Sequence, residues 1–316
     1  MKNTFLVTGA TGFIGANIVR ELVKLGQHTS IIVRNRKLNW RLHDISNKID
    51  IYECDIQDEK LLEIVNRIKP DYIFHLARYG NLSNEDDINK MIDINFKGTI
   101  NLINAVKQNP FKLLINTSSC IEYGVKEQSM KETDYLVPIN NFGVITAGIT
   151  LYAQKEAIRN NLPIITLRLF TPYGYYEDGF RLIPSVIKSA IGNEPIKVSA
   201  PENVRDFIFI EDVVSAYMGA TEIRHNPGEI YNIGSGKQHS VGEIVQMIQK
   251  ITKNKSDVEW GAVAKQARYI EPSRWEADIT KAKKTLNWEP KFSIESGLIK
   301  TIEWFKKNKN LYLTSY

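Results

Sequence analysis

Gly9, Gly12 and Gly15 recur at three-residue intervals in VTGATGFIG, between the short apolar run NTFLVTG and the helix-like run FIGANIVRELVKLG. In that setting each glycine has a mechanical use. The first permits a tight turn, the second lets a pyrophosphate approach the backbone, and the third allows close helix–strand packing. The helix start behind them offers free N–H groups and a positive dipole end to phosphates. The chemistry implied is dinucleotide binding, with Thr11, Phe13 and Ile14 on the same turn. A second group of reactive side chains, His75, Tyr79, Ser119, Cys120, Glu122 and Tyr123, falls at or just after the ends of the β-rich runs DYIFHLA and KLLINTSS. In a parallel sheet those ends share the carboxyl edge, where ligand sites form.

Two positions bear on which dinucleotide fits. Asp55, followed by Ile56, closes the third strand-like run, where a carboxylate could accept the adenine amino group; an acidic residue there also suits a turn. At the end of the second strand an NAD site usually carries an acidic residue for the ribose hydroxyls. Here that end reads Val33-Arg34-Asn35-Arg36. Arg34 could meet a 2′-phosphate, which leans toward NADP, or stack on adenine, which leaves NAD open.

The elements that must carry these residues follow a regular rhythm. TSIIVR, IDIYECD, DYIFHLA, KLLINTSS and PIITLRLF are apolar, β-rich runs, separated by helix-like segments at about 58–69, 85–109 and 143–160. Such alternation argues for an α/β fold, a Rossmann-like doubly wound parallel sheet with helices on both faces. After Phe170 the rhythm changes to a turn-rich stretch, a helix at about 180–191, a strand–helix unit over VRDFIFIEDVVSAYMGATEI, and Ser240–Glu243 at capping-box spacing. The expected division is a cofactor domain over 1–170 plus about 204–234, and a smaller α/β cap over about 171–203 and 235–316.

The 316 residues are 43% hydrophobic and 24% charged, ordinary for a soluble globular protein. A formal charge of +5, from 41 basic and 36 acidic residues, does not demand a nucleic-acid partner. Cys54 and Cys120 are the two cysteines, without metal-site spacing, which suits a reducing cytoplasm. No apolar run approaches membrane-spanning length.

With TGATGFIG, HLA at 75–77, INFKGTINLINA at 94–105, TSSCIEYG at 117–124, LRLFTPYG at 167–174, VRDFIFIEDV at 204–213 and YNIGSG at 231–236, the chain resembles the extended short-chain dehydrogenase/reductase family. These are nucleotide-sugar epimerases, dehydratases and reductases. The resemblance implies a nucleoside-diphosphate sugar as substrate, and Leu76, Ala77 and Tyr79 beside the cofactor. It implies Arg205 and Arg268 on the substrate diphosphate, with Arg181 and Asn232 nearby. Thr171 takes a position that is often Asn in the family.

The family's acid/base pair is a Tyr and a Lys four residues apart, and here Phe142 and Thr146 stand in their places. Phenylalanine cannot transfer a proton and threonine cannot carry charge. The dehydratase Asp-Glu pair falls at Cys120 and Ile121. Ser119 matches the family's second hydrogen-bonding group on the sugar oxygen. Three readings follow: a redox enzyme with proton transfer assigned elsewhere, drawing on Tyr79, Cys120, Glu122, Tyr123 or His75; a relative that binds NAD(P) and a nucleotide sugar without turnover; and a scaffold subunit. Relatives often dimerise through the helix at 143–160, so self-association is expected.

Overall fold

The structure is a computed structural model that describes residues 2–36, 40–80, 85–262 and 273–313. Its first strands are β1 (Thr4–Thr8), β2 (His28–Val33), β3 (Asp50–Glu53), β4 (Tyr72–His75), β5 (Leu113–Ser119) and β6 (Ile164–Leu169). They are followed by β7 (Thr171–Tyr173), β8 (Ile196–Val198), β9 (Val204–Phe209), β10 (Ile230–Ile233), β11 (Gln238–Ser240) and β12 (Val258–Trp260). The helices are α1 (Phe13–Lys24), α2 (Lys60–Ile68), α3 (Ile88–Met91), α4 (Gly98–Val106) and α5 (Asn141–Asn160), then α6 (Leu182–Gly192), α7 (Ile210–Ala220), α8 (Val241–Thr252), α9 (Ile294–Lys307) and α10 (Lys309–Leu313). The single helix expected at about 85–109 is instead α3, a wide π-type stretch over Ile92–Lys97, and α4.

The chain divides into two units: Met1–Gly124, Tyr135–Leu169 and Val214–Tyr231 form the first, and Val125–Asp134, Phe170–Val213 and Asn232–Tyr316 the second. Residues 204–213, grouped with the first domain on sequence grounds, cluster with the second. The cause is pairing, because β9 joins β7 and β11 in a separate three-stranded sheet. Residues 125–134 also belong to the second unit, where Met130 forms a bridge to Ala277 and exchanges backbone bonds with Glu276 and Asp278.

In the first unit, β10-β6-β5-β4-β1-β2-β3 form one sheet, and β1 to β6 pair in parallel. Parallel pairing with crossover helices explains the near-continuous apolar strands seen in the sequence. One face changes character from the amino to the carboxyl edge. Leu6, Ile73, Leu114 and Ile164 lie in register and belong to a core that α4 and α5 complete with Leu102, Ile103, Ala153 and Ala157. Two residues further along, the matching rung is Thr8, His75, Asn116 and Thr166, all 2% exposed or less. On β5 and β6 the next rung is Ser118 and Arg168. The helices follow the same gradient, since Thr99 and Thr150, at the amino-terminal sides of the apolar helix residues, meet the polar rungs.

The second unit holds the sheet β11-β9-β7 and the pair β12-β8. Its organising group is Asp206, fully buried on β9, whose carboxylate accepts N–H bonds from Ser235, Gly236 and Ala277 at 2.7–3.0 Å. The capping box forms at the start of α8, with Ser240 and Glu243 exchanging bonds.

Candidate cofactor and catalytic site

The turn between β1 and α1 is shaped by contacts that leave no room for side chains. Gly9 has φ +68°, and a Cβ there would stand 2.5 Å from the Ala77 nitrogen. A Cβ on Gly15 would stand 2.3 Å from the Gly9 carbonyl oxygen. Gly12 supplies the N-cap without a side chain, and its N–H closes the turn on Gly9 O at 3.0 Å. The result is a bare backbone concavity in front of a helix N-terminus, which suits a pyrophosphate. Thr11, Phe13 and Ile14 are partly exposed on this turn, and Leu76, Ala77 and Tyr79 are partly exposed where β4 ends. Leu76 N–H bonds Thr8 O at 3.1 Å, which ties the end of β4 to the end of β1. These residues fit a dinucleotide at the crevice where the strand order reverses.

Arg34 is exposed in the bend after β2. Ile56 is buried, and Asp55 turns its Oδ1 onto the Gln57 backbone and side-chain N–H groups at 3.0 and 3.1 Å. That is the turn geometry a carboxylate offers, and it leaves Asp55 Oδ2 as the oxygen pointing elsewhere. The neighbouring Cys54 thiol is pushed up to about 11 by burial and by the Asp58 and Asp55 carboxylates, so it stays protonated.

The catalytic candidates separate by burial. Ser119 is partly exposed at the carboxyl end of β5, where it caps the turn Cys120–Tyr123. Cys120 is 3% exposed and carries a free thiol. Tyr123 is fully buried, and its hydroxyl receives Arg168 Nη1–H at 2.5 Å. Phe142 is half-buried in the first turn of α5. Thr146 is 1% exposed and donates its hydroxyl to the Phe142 carbonyl at 2.6 Å. Its oxygen is thereby turned to its own helix, a common habit of mid-helix threonine.

Beneath Ser119 lies a cluster of charges. Glu122 and Arg168, 0% and 1% exposed, form an ion pair through Arg168 Nε (3.0 Å) and Nη2 (2.8 Å). Thr150 Oγ1 and Ser118 Oγ both reach Glu122 Oε1, so α5, β5 and β6 meet on one carboxylate. Burial works against the charge of Arg168, yet Glu122 and Tyr123 raise its pKa overall. A second guanidinium, Arg78, stands just past β4. Its Nη1 donates to His75 Nε2 (2.8 Å) and Ala77 O (2.7 Å), and its Nη2 to Asn116 Oδ1 (2.7 Å) and Thr117 O (2.8 Å). Burial draws its pKa down to about 10. His75 Nε2 also lies 2.9 Å from Thr99 Oγ1, and its Nδ1 lies 2.7 Å from Thr8 Oγ1, so both ring nitrogens are engaged. Burial first, and the Arg78 charge second, hold His75 well below its usual pKa and therefore neutral.

In the second unit, Arg205 on β9 donates Nη1–H to Val204 O and lies 5.4 Å from the Trp275 ring centre. Arg181 caps α6, 6.0 Å from the Phe180 ring centre, and Thr171 opens β7, partly exposed. Asn232 is fully buried; its backbone N–H bonds Glu132 Oε1, and its amide group bonds Met130 O at 2.8 Å. It stitches three segments of that unit together. Arg268 lies outside the described residues. Among the described residues no helix is long and apolar enough to cross a membrane.

Arg78 and Thr150 stand outside the quoted motifs, and Arg168, inside LRLFTPYG, is not singled out there as a site residue. Their sequence signal is a charge or hydroxyl inside an otherwise apolar run, as in HLARYG and ITLRLF.

Residues 5–234 match the model of the NAD dependent epimerase/dehydratase family. A UDP-N-acetyl-alpha-D-glucosaminuronate decarboxylase of Bacillus cytotoxicus is 30% identical, over 98% of this chain and 100% of its own. Among solved structures, UDP-glucose 4-epimerase from Thermotoga maritima, with UDP-glucose, is 26% identical and superposes with a TM-score of 0.87 over 97% of this chain and 99% of that one. A Tyr-to-Phe variant of UDP-glucuronic acid 4-epimerase from Bacillus cereus is also 26% identical, with a TM-score of 0.86 over 96% and 99%. That variant was solved in complex with UDP-4-deoxy-4-fluoro-glucuronic acid and NAD. Sheet order, glycine cradle and whole-length similarity agree: the chain belongs to the NAD dependent epimerase/dehydratase family.

Proposed function

We propose that the chain is an NAD(P)-dependent oxidoreductase of the extended short-chain type, acting at a hydroxyl or keto carbon of a nucleoside-diphosphate sugar, with a non-standard acid/base site. The observation that carries this reading is the intact glycine cradle, whose Gly9 and Gly15 admit no side chain. When bound, the nicotinamide exchanges a hydride with a substrate carbon. The turn residues Gly9–Gly15 hold the pyrophosphate by backbone N–H groups. Ser119, partly exposed at the carboxyl end of β5 and fixed as a turn cap, offers a hydroxyl to a sugar oxygen. Arg205 offers a planar fork to the substrate diphosphate. Phe142 and Thr146 shape the pocket wall without moving protons, and buried Tyr123 serves Arg168. Positioning alone supplies a large share of the acceleration in this scheme.

A second reading has its own support. Thr146 bonds its own helix and Phe142 bears no proton, which favours a protein that binds cofactor and nucleotide sugar without turnover. The Tyr-to-Phe epimerase variant holding both NAD and a nucleotide sugar sets a precedent for such binding. Self-association fits either reading: Val144, Leu151 and Ile158 are exposed at seven-residue steps along α5, an apolar stripe suited to a helix of a second copy.

Small molecules released by denaturing the purified protein separate the readings. Recovery of reduced cofactor, together with absorbance changes at the nicotinamide band on addition of a UDP-, dTDP-, CDP- or GDP-sugar, supports turnover. An unchanged spectrum across that panel, in both redox directions, sinks the enzyme reading and leaves the binding one.

A further inference from the structure

Behind the turn that joins β7 to α6 lies a strap made by α9 and α10. Asn308 closes α9, with its backbone N–H on Trp304 O and Phe305 O at 3.0 and 3.2 Å and its side-chain amide on Trp304 O at 2.8 Å. The chain then turns back, so that Tyr312 on α10 stacks on Phe305 with ring centres 4.2 Å apart and meets Trp304 edge to face at 5.9 Å. Tyr312 is 6% exposed, and its hydroxyl donates to Glu177 O, inside the turn, at 2.9 Å. Trp304 backs the same turn from α9, its ring centre 4.7 Å from that of Tyr176 and 5.8 Å from that of Tyr175. Tyr175 is tied a second time. Its hydroxyl donates to Glu211 Oε1 at 3.0 Å, the oxygen that also receives Lys300 Nζ of α9 at 2.8 Å.

The turn needs that backing. Tyr176 has φ +66°, a left-handed backbone that a bulky side chain adopts only where its surroundings impose it. The bonds within the turn are long: Glu177 N–H reaches Gly174 O, and Gly174 N–H reaches Glu177 Oε2, both at 3.4 Å. At the far end Asp178 O takes the Arg181 N–H at 3.0 Å, which sets Arg181 as the cap of α6, with Phe180 54% exposed beside it. All of these residues belong to the second unit. An arginine free to sample its rotamers loses entropy when it grips an anion, and one carried on a fixed turn has less to lose. We propose that Tyr312 and Trp304 are positioning residues for the substrate: by holding the turn Gly174–Arg181 in its strained form, they keep the Arg181 guanidinium ready for the diphosphate of a nucleotide sugar. This rests on the nucleotide-sugar reading above and assigns the chain's last helices a part in it.

Titration calorimetry of the full-length protein with UDP, dTDP, GDP and CDP tests this without any assay of turnover. For the nucleotide that binds the unmodified protein most tightly, Arg181→Ala is expected to weaken binding at least ~10-fold, equivalent to about 1.4 kcal/mol. Tyr312→Ala is expected to weaken it by a similar factor, and Tyr312→Phe, which keeps the stack on Phe305 and Trp304, to recover most of that loss. The double variant Arg181→Ala with Tyr312→Ala is expected to lose no more than about 2-fold beyond Arg181→Ala alone, because both changes remove one interaction. Amide hydrogen exchange read by mass spectrometry locates the effect: in Tyr312→Ala the turn at 174–181 exchanges faster while β9 keeps its protection. Undiminished nucleotide binding in Tyr312→Ala, a fully additive double variant, or equal loss of protection in β9 and the turn overturns the positioning role. If none of the four nucleotides binds the unmodified protein, the nucleotide-sugar reading falls, and the positioning role with it. Binding that survives both Arg181→Ala and Tyr312→Ala leaves that reading standing and sinks the positioning role alone.

Discussion

The glycine turn and the first two turns of α5 are the two regions that the proposed function sets against a small molecule, one through its backbone and the other through its side chains. At Gly9–Gly15 the working groups are N–H donors, and the neighbours dictate the residue type: a Cβ at Gly15 would stand 2.3 Å from a carbonyl oxygen. At Phe142 and Thr146 the helix is complete, the Asn140 cap bonds Gly143 N–H, and Thr146 settles onto the Phe142 carbonyl. Nothing in the fold of that helix requires a phenol or an ammonium. A cradle made of backbone is locked to the packing that surrounds it, whereas acid/base chemistry made of two side chains can be lost while its helix stays. Binding and chemistry are therefore separable in this architecture.

The comparison breaks first, and hardest, at the charge beneath α5. Glu122→Ala leaves Arg168 buried without its carboxylate and frees the Thr150 contact that anchors α5, so a loss of about 3–5 kcal/mol is expected. Chemical denaturation measures it. A loss below about 1 kcal/mol would mean that water or a rearranged neighbour replaces the carboxylate. Gly15→Ala tests the other side. The backbone of the turn must shift, and cofactor affinity is expected to fall about 100-fold, near 3 kcal/mol, whereas Phe142→Ala keeps affinity within a few-fold. Similar losses in the two variants would erase the distinction between the two turns. The smallest effect is a pH dependence. His75 is neutral in the folded state with its pKa depressed, so the unfolded chain binds the extra proton below about pH 6.5. Its contribution is lost as pH falls below that value, by up to about 1.4 kcal/mol per pH unit. Melting curves from pH 7.5 to 5 should show a shallower acid-side decline for His75→Gln than for the unmodified chain. Parallel declines would mean that the folded imidazole does take up a proton.

What could be read from residues alone was whatever repeats along the chain: alternating β-rich and helical runs, three glycines, and Ser240 three residues before Glu243. Each rests on neighbours close in sequence. The charges at the carboxyl edge were illegible for the opposite reason, since Arg168 meets Glu122 46 residues away and Arg78 meets Asn116 38 residues away. Asn232 was named only through the family resemblance; its bonds to Met130 and Asp278, from distant segments, and its full burial are legible in the fold alone. The boundary near 204 moved because strand pairing, not strand character, decides which sheet receives β9. Tyr312 carried no signal at all; only the fold brings it to Glu177.

The rung Thr8–His75–Asn116–Thr166 has a consequence for how the sheet finds its alignment. Parallel strands rich in Ile, Leu and Val could slide by two residues and still bury apolar side chains. Here a slide of β4 or β5 by two would set His75 or Asn116 against leucine and isoleucine, with ring and amide groups stranded away from water, at about 1–3 kcal/mol for each unmet group. Four polar residues across four neighbouring strands thus act as a vernier, which reads true in one alignment and makes the near misses unstable before the helices close over them.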